Sequence, residues 1–253
     1  MSINIAVAGK GGTGKTSVSS LVIRYLVKNS TGAILAVDAD PNANLGDSLG
    51  LKVKQTMGGI IALFNQEKVD IPAGMTKESY LEFKFNEALV ETRGLDLLTM
   101  GRGEGADCYC YPNTMLRKFM DSLEGSYQYM VMDNEAGMEH LSRRTTQNVD
   151  ELLLVSDHSI KGVRTVARLK ELVTDLKLKV KRQSVIINLA PESAVNPAIA
   201  AELNKLGIQP AAVIPYDENV YNCDLQQKSI LDLFDSSKAV KAVNSLMGGL
   251  LGK

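Results

Sequence analysis

No apolar run in this sequence approaches the roughly 20 residues that span a bilayer. Stretches such as Ile60–Phe64 and Leu152–Val155 are a fraction of that length, so no membrane span is expected. The N-terminus lacks a basic segment ahead of an apolar one, and MSINIAVAGK passes straight into a glycine-rich motif, so no cleaved leader is expected and the protein should be cytoplasmic. Cysteine is scarce: three residues, an odd count without a secretion signal, exclude a disulfide framework and point to free thiols. The sequon Asn29-Ser30-Thr31 then carries no glycosylation meaning. Excess charge of either sign is also missing. Twenty-eight basic residues against 29 acidic ones argue against a strongly basic nucleic-acid binder.

No repeat, low-complexity tract or Pro/Gly/Ser-rich linker divides the 253 residues, so residues 1–253 are expected to form one domain, large enough to bury a full core without a structural metal. Short β-rich runs recur at Ile3–Ala8, Ala33–Asp38, Leu95–Met100, Tyr129–Asp133, Leu152–Ser156, Val185–Asn188 and Ala211–Ile214. Helical periodicity separates them. Val18, Leu21, Val22, Tyr25 and Leu26 share one face, and Val163, Val166, Leu169 and Val173 share another. The insertion from Leu51 to Arg93 reads as helices. Such alternation predicts an α/β fold, a doubly wound and mainly parallel sheet of about seven strands with helices on both faces and ligands at the strand C-termini. From Ser236 to Leu251, Val240, Val243, Leu246, Met247 and Leu250 line one face of a terminal helix expected to pack, because Gly248 and Gly249 weaken it as a membrane-surface helix.

Gly9-Lys10-Gly11-Gly12-Thr13-Gly14-Lys15-Thr16 satisfies GxxxxGK[ST] between a strand and a helix that begins near Ser17. In such a loop the backbone N–H groups cradle phosphates, Lys15 reaches the β- and γ-phosphates, and Thr16 can hold Mg²⁺. The KGGTGKT form, with its early lysine, resembles the deviant Walker A motif of the dimerising ATPases related to MinD, ParA and the nitrogenase iron protein. That resemblance implies that Lys10 reaches the other subunit's nucleotide and acts only in the assembled dimer.

Two carboxylates follow the second strand in Asp38-Ala39-Asp40-Pro41-Asn42. The resemblance gives Asp40 the role of orienting the attacking water, with Asp38 tuning the Mg²⁺ shell. Asp133 ends an apolar strand, as a Walker B aspartate does, and is expected to bind Mg²⁺ directly or through water. Glu135 and Gly137 would sense the γ-phosphate. For the base, the resemblance implies an asparagine at Asn188 and backbone around Pro215-Tyr216-Asp217. The guanine signature NKxD is absent after Asn188, which favours ATP over GTP.

Cys108-Tyr109-Cys110 lies between a strand and a helix that Asn113 could cap. Two soft thiolates suit Zn²⁺, Cu(I) or square-planar Ni²⁺, yet two ligands do not close a site. Cys223 reads as packing, and His140 and His158 lack metal-ligand spacing. A two-fold axis near the loop would bring four thiolates together.

Taken together, GKGGTGKT, DADPN, the MGRGEGADCYC loop and DNEAGMEHLSR resemble the CooC/AcsF-type ATPases that mature carbon monoxide dehydrogenase and acetyl-CoA synthase. The resemblance implies a homodimeric, Mg²⁺-dependent ATPase that binds Ni²⁺ or Zn²⁺ through paired CxC motifs and couples hydrolysis to nickel insertion into a client metalloenzyme. Two rivals share the P-loop: a MinD/ParA-like positioning ATPase and an iron–sulfur electron-transfer ATPase.

Overall fold

The computed structural model of the chain describes residues 2–65, 71–102, 110–123, 125–135, 148–192 and 194–252, with residues 110–113 as backbone. Seven strands form: β1 (Ile3–Gly9), β2 (Ile34–Ala39), β3 (Leu95–Thr99), β4 (Tyr129–Asn134), β5 (Val149–Asp157), β6 (Val180–Ala190) and β7 (Pro210–Pro215). They pair in the order β3-β2-β4-β1-β5-β6-β7, every pairing parallel. The central strands are buried at nearly every position, which is why they read as unbroken apolar runs rather than as alternation.

Among the described residues the helices are α1 (Lys15–Asn29), α2 (Leu45–Leu49), α3 (Met57–Asn65), α4 (Lys77–Ala88), α5 (Cys110–Leu123), α6 (Ile160–Asp175), α7 (Pro197–Lys205), α8 (Glu218–Leu225) and α9 (Lys238–Leu251). Side chains alternate across each strand, so they divide between two cores. Ile5, Val7, Ala36 and Leu153 pack with α1 and α9, whereas Ala6, Leu35, Val37 and Leu154 pack with α3 to α7. The sheet is doubly wound. The expected apolar faces of α1 and α6 are buried, as is that of α9 except for a half-buried Leu250, and α9 lies on α1 and β7. Among the described residues, no helix is long and apolar enough to cross a membrane.

Local signals fix the helix starts. Ser159 Oγ accepts from Gly162 N–H at 3.0 Å and Thr76 Oγ1 from Ser79 N–H at 3.1 Å, each capping its helix. The cap expected at Asn113 does not occur, since α5 already begins at Cys110 and Asn113 lies inside it. The strand order turns outward from β1, with β4, β2 and β3 on one side and β5, β6 and β7 on the other. That geometry opens a crevice beyond the strand C-termini, where the glycine-rich loop sits.

Candidate functional site

The loop after β1 is shaped by close approach. A Cβ at Gly9 would overlap the Val155 carbonyl of β5, so only glycine lets the two strand ends lie this near. Gly12 and Gly14 both take φ 80°, the left-handed region. Inside the turn the Lys10 carbonyl gathers three donors: Thr13 N–H at 3.4 Å, Thr13 Oγ1 at 2.8 Å and Lys15 Nζ at 3.4 Å. Lys15 is buried, while the Lys10 side chain is exposed. Gly14 then opens α1 with no capping side chain, and Thr16 and Ser17 fall in the first turn. Uncapped N–H groups and the helix dipole leave this end suited to an anion.

Beside the loop stand the carboxylates. Asp38 and Asp133 are register partners on β2 and β4, fully buried at 0% and 1% exposure. Asp38 accepts from Asp40 N–H at 3.1 Å and from Leu45 N–H at 2.9 Å, so its two oxygens fasten both ends of the 40–45 loop. Burial pushes its carboxyl up to about 7 against those two donors, with Asp133 adding to the rise. Asp133 Oδ1 accepts from Ser19 Oγ at 2.8 Å, but its buried Oδ2 lacks a hydrogen-bond partner among the described residues. Burial raises Asp133 to about 6, opposed by the Thr16 and Ser19 hydroxyls and the Lys15 charge. Asp40 is half-buried at the loop mouth, and its Oδ1 accepts from Asn42 N–H and Nδ2, each at 2.9 Å.

An unpartnered buried carboxylate oxygen beside a second raised carboxyl fits a divalent cation. Asp133 and Thr16 would hold it, with Asp38 beside them, and it would neutralise charge on bound phosphates. Among the described residues no three His, Cys, Asp or Glu side chains cluster around one point. Mg²⁺ keeps waters and phosphate oxygens in its shell and so requires only one or two protein ligands of the kind Asp133 and Thr16 offer. Ser19, one turn beyond Thr16, was not singled out from sequence. A serine on the buried face of an apolar helix was the available signal.

A cavity of about 760 Å³ opens from Thr16, Ser17 and Leu21 to Asn188, Pro215 and Asp217. The residues expected around a base therefore do come together, though their side chains behave differently. Asn188, buried at the register position opposite Asp157, donates from Nδ2 to the Thr13 carbonyl at 2.8 Å. Asp217 caps α8 through Oδ1 and accepts on Oδ2 from Ser237 Oγ at 2.6 Å and Ala239 N–H at 3.0 Å. Although burial opposes it, these donors hold its carboxyl down at about 2. Its carboxylate is thus engaged by the fold. Tyr216, within the segment expected at the base, and Tyr221, which was not singled out for it, line the cavity with ring centres 6.5 Å apart.

Cys108, Gly137 and His140 lie outside the described residues. Cys110 opens α5, the helix that follows β3. Cys223 packs against the α1 core with its thiol 3.9 Å from the Ser229 carbonyl, as a packing role requires. His158 Nε2 accepts from Asn196 N–H at 3.1 Å.

Residues 5–230 match the CobQ/CobB/MinD/ParA nucleotide binding domain. The chain belongs to this family. It is an ATPase of the MinD/ParA kind, and ATP with Mg²⁺ is the nucleotide to which the loop and carboxylates correspond. An uncharacterised ATP-binding protein of Methanocaldococcus jannaschii is 42% identical over 252 residues, covering 98% of each chain. The carbon monoxide dehydrogenase accessory protein CooC of Rhodospirillum rubrum is 27% identical over 98% of this chain and 96% of that one. Among solved structures, the septum site-determining protein MinD complexed with Mg-ADP from Pyrococcus horikoshii superposes with a TM-score of 0.68 at 20% identity, covering 99% of this chain and 96% of that chain. The family's fold is present throughout the sheet.

Proposed function

We propose that this ATPase is a cytoplasmic metallochaperone that acts as a homodimer, binds Ni²⁺ or Zn²⁺ through Cys108 and Cys110 of both subunits, and couples ATP hydrolysis to nickel insertion into a client such as carbon monoxide dehydrogenase or acetyl-CoA synthase. Residues 1–253 serve as one ATPase domain. The observation that carries the reading is an exposed Lys10 in the loop after β1, taken together with a CxC pair in the sequence that follows β3 and runs into the start of α5 at Cys110. Both features need a second subunit to work: one lacks a phosphate, the other two ligands. Near-full-length similarity to CooC of Rhodospirillum rubrum supports the same reading.

In this scheme Gly11, Gly12, Thr13, Gly14 and Lys15 hold the phosphates and Thr16 and Asp133 the Mg²⁺, with Asp38 beside it. Asp40 orients water, and Lys10 of each subunit serves the other's nucleotide. Catalysis is positioning plus charge stabilisation. A positioning ATPase of the MinD/ParA type shares the loop but leaves the CxC pair without a task. The apolar face of α9, which such a protein could offer to a lipid surface, is buried against α1 here. Metal content and oligomeric state, measured with and without a non-hydrolysable ATP analogue, test the proposal. ATP-dependent co-sedimentation with liposomes or DNA, without metal binding, would favour the rival.

A further inference from the structure

The hydrogen bonds around Thr13 form one connected path. Asn188 Nδ2 donates to the Thr13 carbonyl at 2.8 Å, Thr13 Oγ1 donates to the Lys10 carbonyl at 2.8 Å, and Lys15 Nζ donates to that same carbonyl at 3.4 Å. Asn188 and Thr13 are both buried, at 4% and 0% exposure, so neither end of the first bond is exchanged freely for water. The contact is built in on both sides. A Cβ at Gly14 would overlap Asn188 Nδ2, so the glycine is what lets the amide reach the loop. On the other side, β6 is irregular between Ile187 and Ala190, and Leu189 takes φ 57°, which brings the chain out of register directly after Asn188. The same asparagine lines the cavity.

We propose that Asn188 is a positioning residue for the phosphate loop: by holding Thr13 it fixes the Lys10 carbonyl and, through it, Lys15, so that triphosphate binding depends on a side chain in the wall of the base cavity. The proposal rests on the nucleotide-site reading above. One N–H of Nδ2 is committed to Thr13, which leaves the acceptor Oδ1 and the second N–H of the amide for a ligand, and a group in the cavity that bonds to either also loads the loop. Base and phosphate recognition are then one unit rather than two neighbouring contacts.

Calorimetric titration with Mg-ATP analogue and, separately, with inorganic tripolyphosphate plus Mg²⁺ distinguishes this from a base contact alone. Four proteins are compared: the unmodified chain, Asn188→Ala, Thr13→Ala and the double variant, each checked for native circular dichroism. Asn188→Ser, too short to reach the Thr13 carbonyl, replaces the alanine variant if that one unfolds. The expected result is a loss of about five- to tenfold for tripolyphosphate as well as for the analogue, the scale of one buried hydrogen bond. The double variant should lose little more than the weaker single one, because both cut the same path. A folded Asn188→Ala that loses only the analogue, or losses that simply add, would overturn the brace while leaving the nucleotide site intact. If the unmodified chain binds neither ligand, or Lys15→Ala keeps both, the nucleotide reading falls and the brace with it.

Discussion

Asp38 and Asp133 stand opposite one another on adjacent parallel strands, both buried and both shifted upward, to about 7 and about 6. For an acid, a raised folded-state value means that the native protein binds the proton more tightly than the unfolded chain does. The stability this gives is fully present below about pH 4 and is lost as pH rises through about 6 and then 7. Nucleotide-free protein should therefore melt at progressively lower temperature between pH 5 and pH 8. Asp133→Asn keeps the acceptor for Ser19 and removes a buried charge. Its melting point at pH 8 should rise by several degrees, its pH slope should flatten, and Mg²⁺-dependent nucleotide binding should disappear. A variant with an unchanged slope would contradict the assignment of the shift to this pair.

Lys15 and Lys10 share a loop but should fail in different ways. Lys15→Ala removes the buried ammonium proposed to meet the phosphates and is expected to abolish nucleotide binding. Lys10→Ala removes an exposed cation and should leave monomeric binding intact while ATP-driven dimerisation is lost. Equilibrium binding of a fluorescent ATP analogue, read beside light scattering, separates the two. Normal hydrolysis by Lys15→Ala would defeat the site.

Asp40 is half-buried at the loop mouth, where Asn42 already occupies one of its oxygens. Asp40→Ala should depress turnover by a factor of about 10² or more, in line with loss of a positioned water, and leave an ATP-bound dimer that persists on a sizing column. Dimer dissociation at the normal rate would exclude the role.

Gly9→Ala is a test of the fold beneath the chemistry. The added methyl must displace the Val155 carbonyl or the loop, an overpacking cost of about 1–3 kcal/mol. Chemical denaturation should show that loss together with weakened nucleotide affinity, because the strand end and the loop share the residue.

Much of this was legible in the sequence. Strands buried on both faces read as plain apolar runs, and a loop that must take φ 80° at Gly12 and Gly14 advertises itself through glycine. The ends of β6 were missed because Lys181 and Arg182 lie on an exposed stretch that hydropathy does not report. Long-range polar pairing was the other blind spot. Arg24 sits in the apolar face of α1, 1% exposed, because the Leu233 carbonyl and Asp235, 2.6 Å away, accept its guanidinium. Asp217 lines the cavity within the segment whose backbone was expected near the base, but no local pattern announces that its carboxylate serves Ser237 and Ala239 at the start of α9. Nor does any local pattern announce that Asn188 reaches Thr13.

If nucleotide and metal favour the same dimer, as proposed, each must raise the affinity of the other by the same factor. The direct measurement is a titration of Ni²⁺ or Zn²⁺ into the protein with and without a non-hydrolysable ATP analogue, with mass determined at each point. The account predicts one metal per two chains, tighter binding when the analogue is present, and loss of the metal effect alone in a Cys108→Ala/Cys110→Ala variant. Equal affinity and stoichiometry in both conditions, or one metal per monomer, would contradict it.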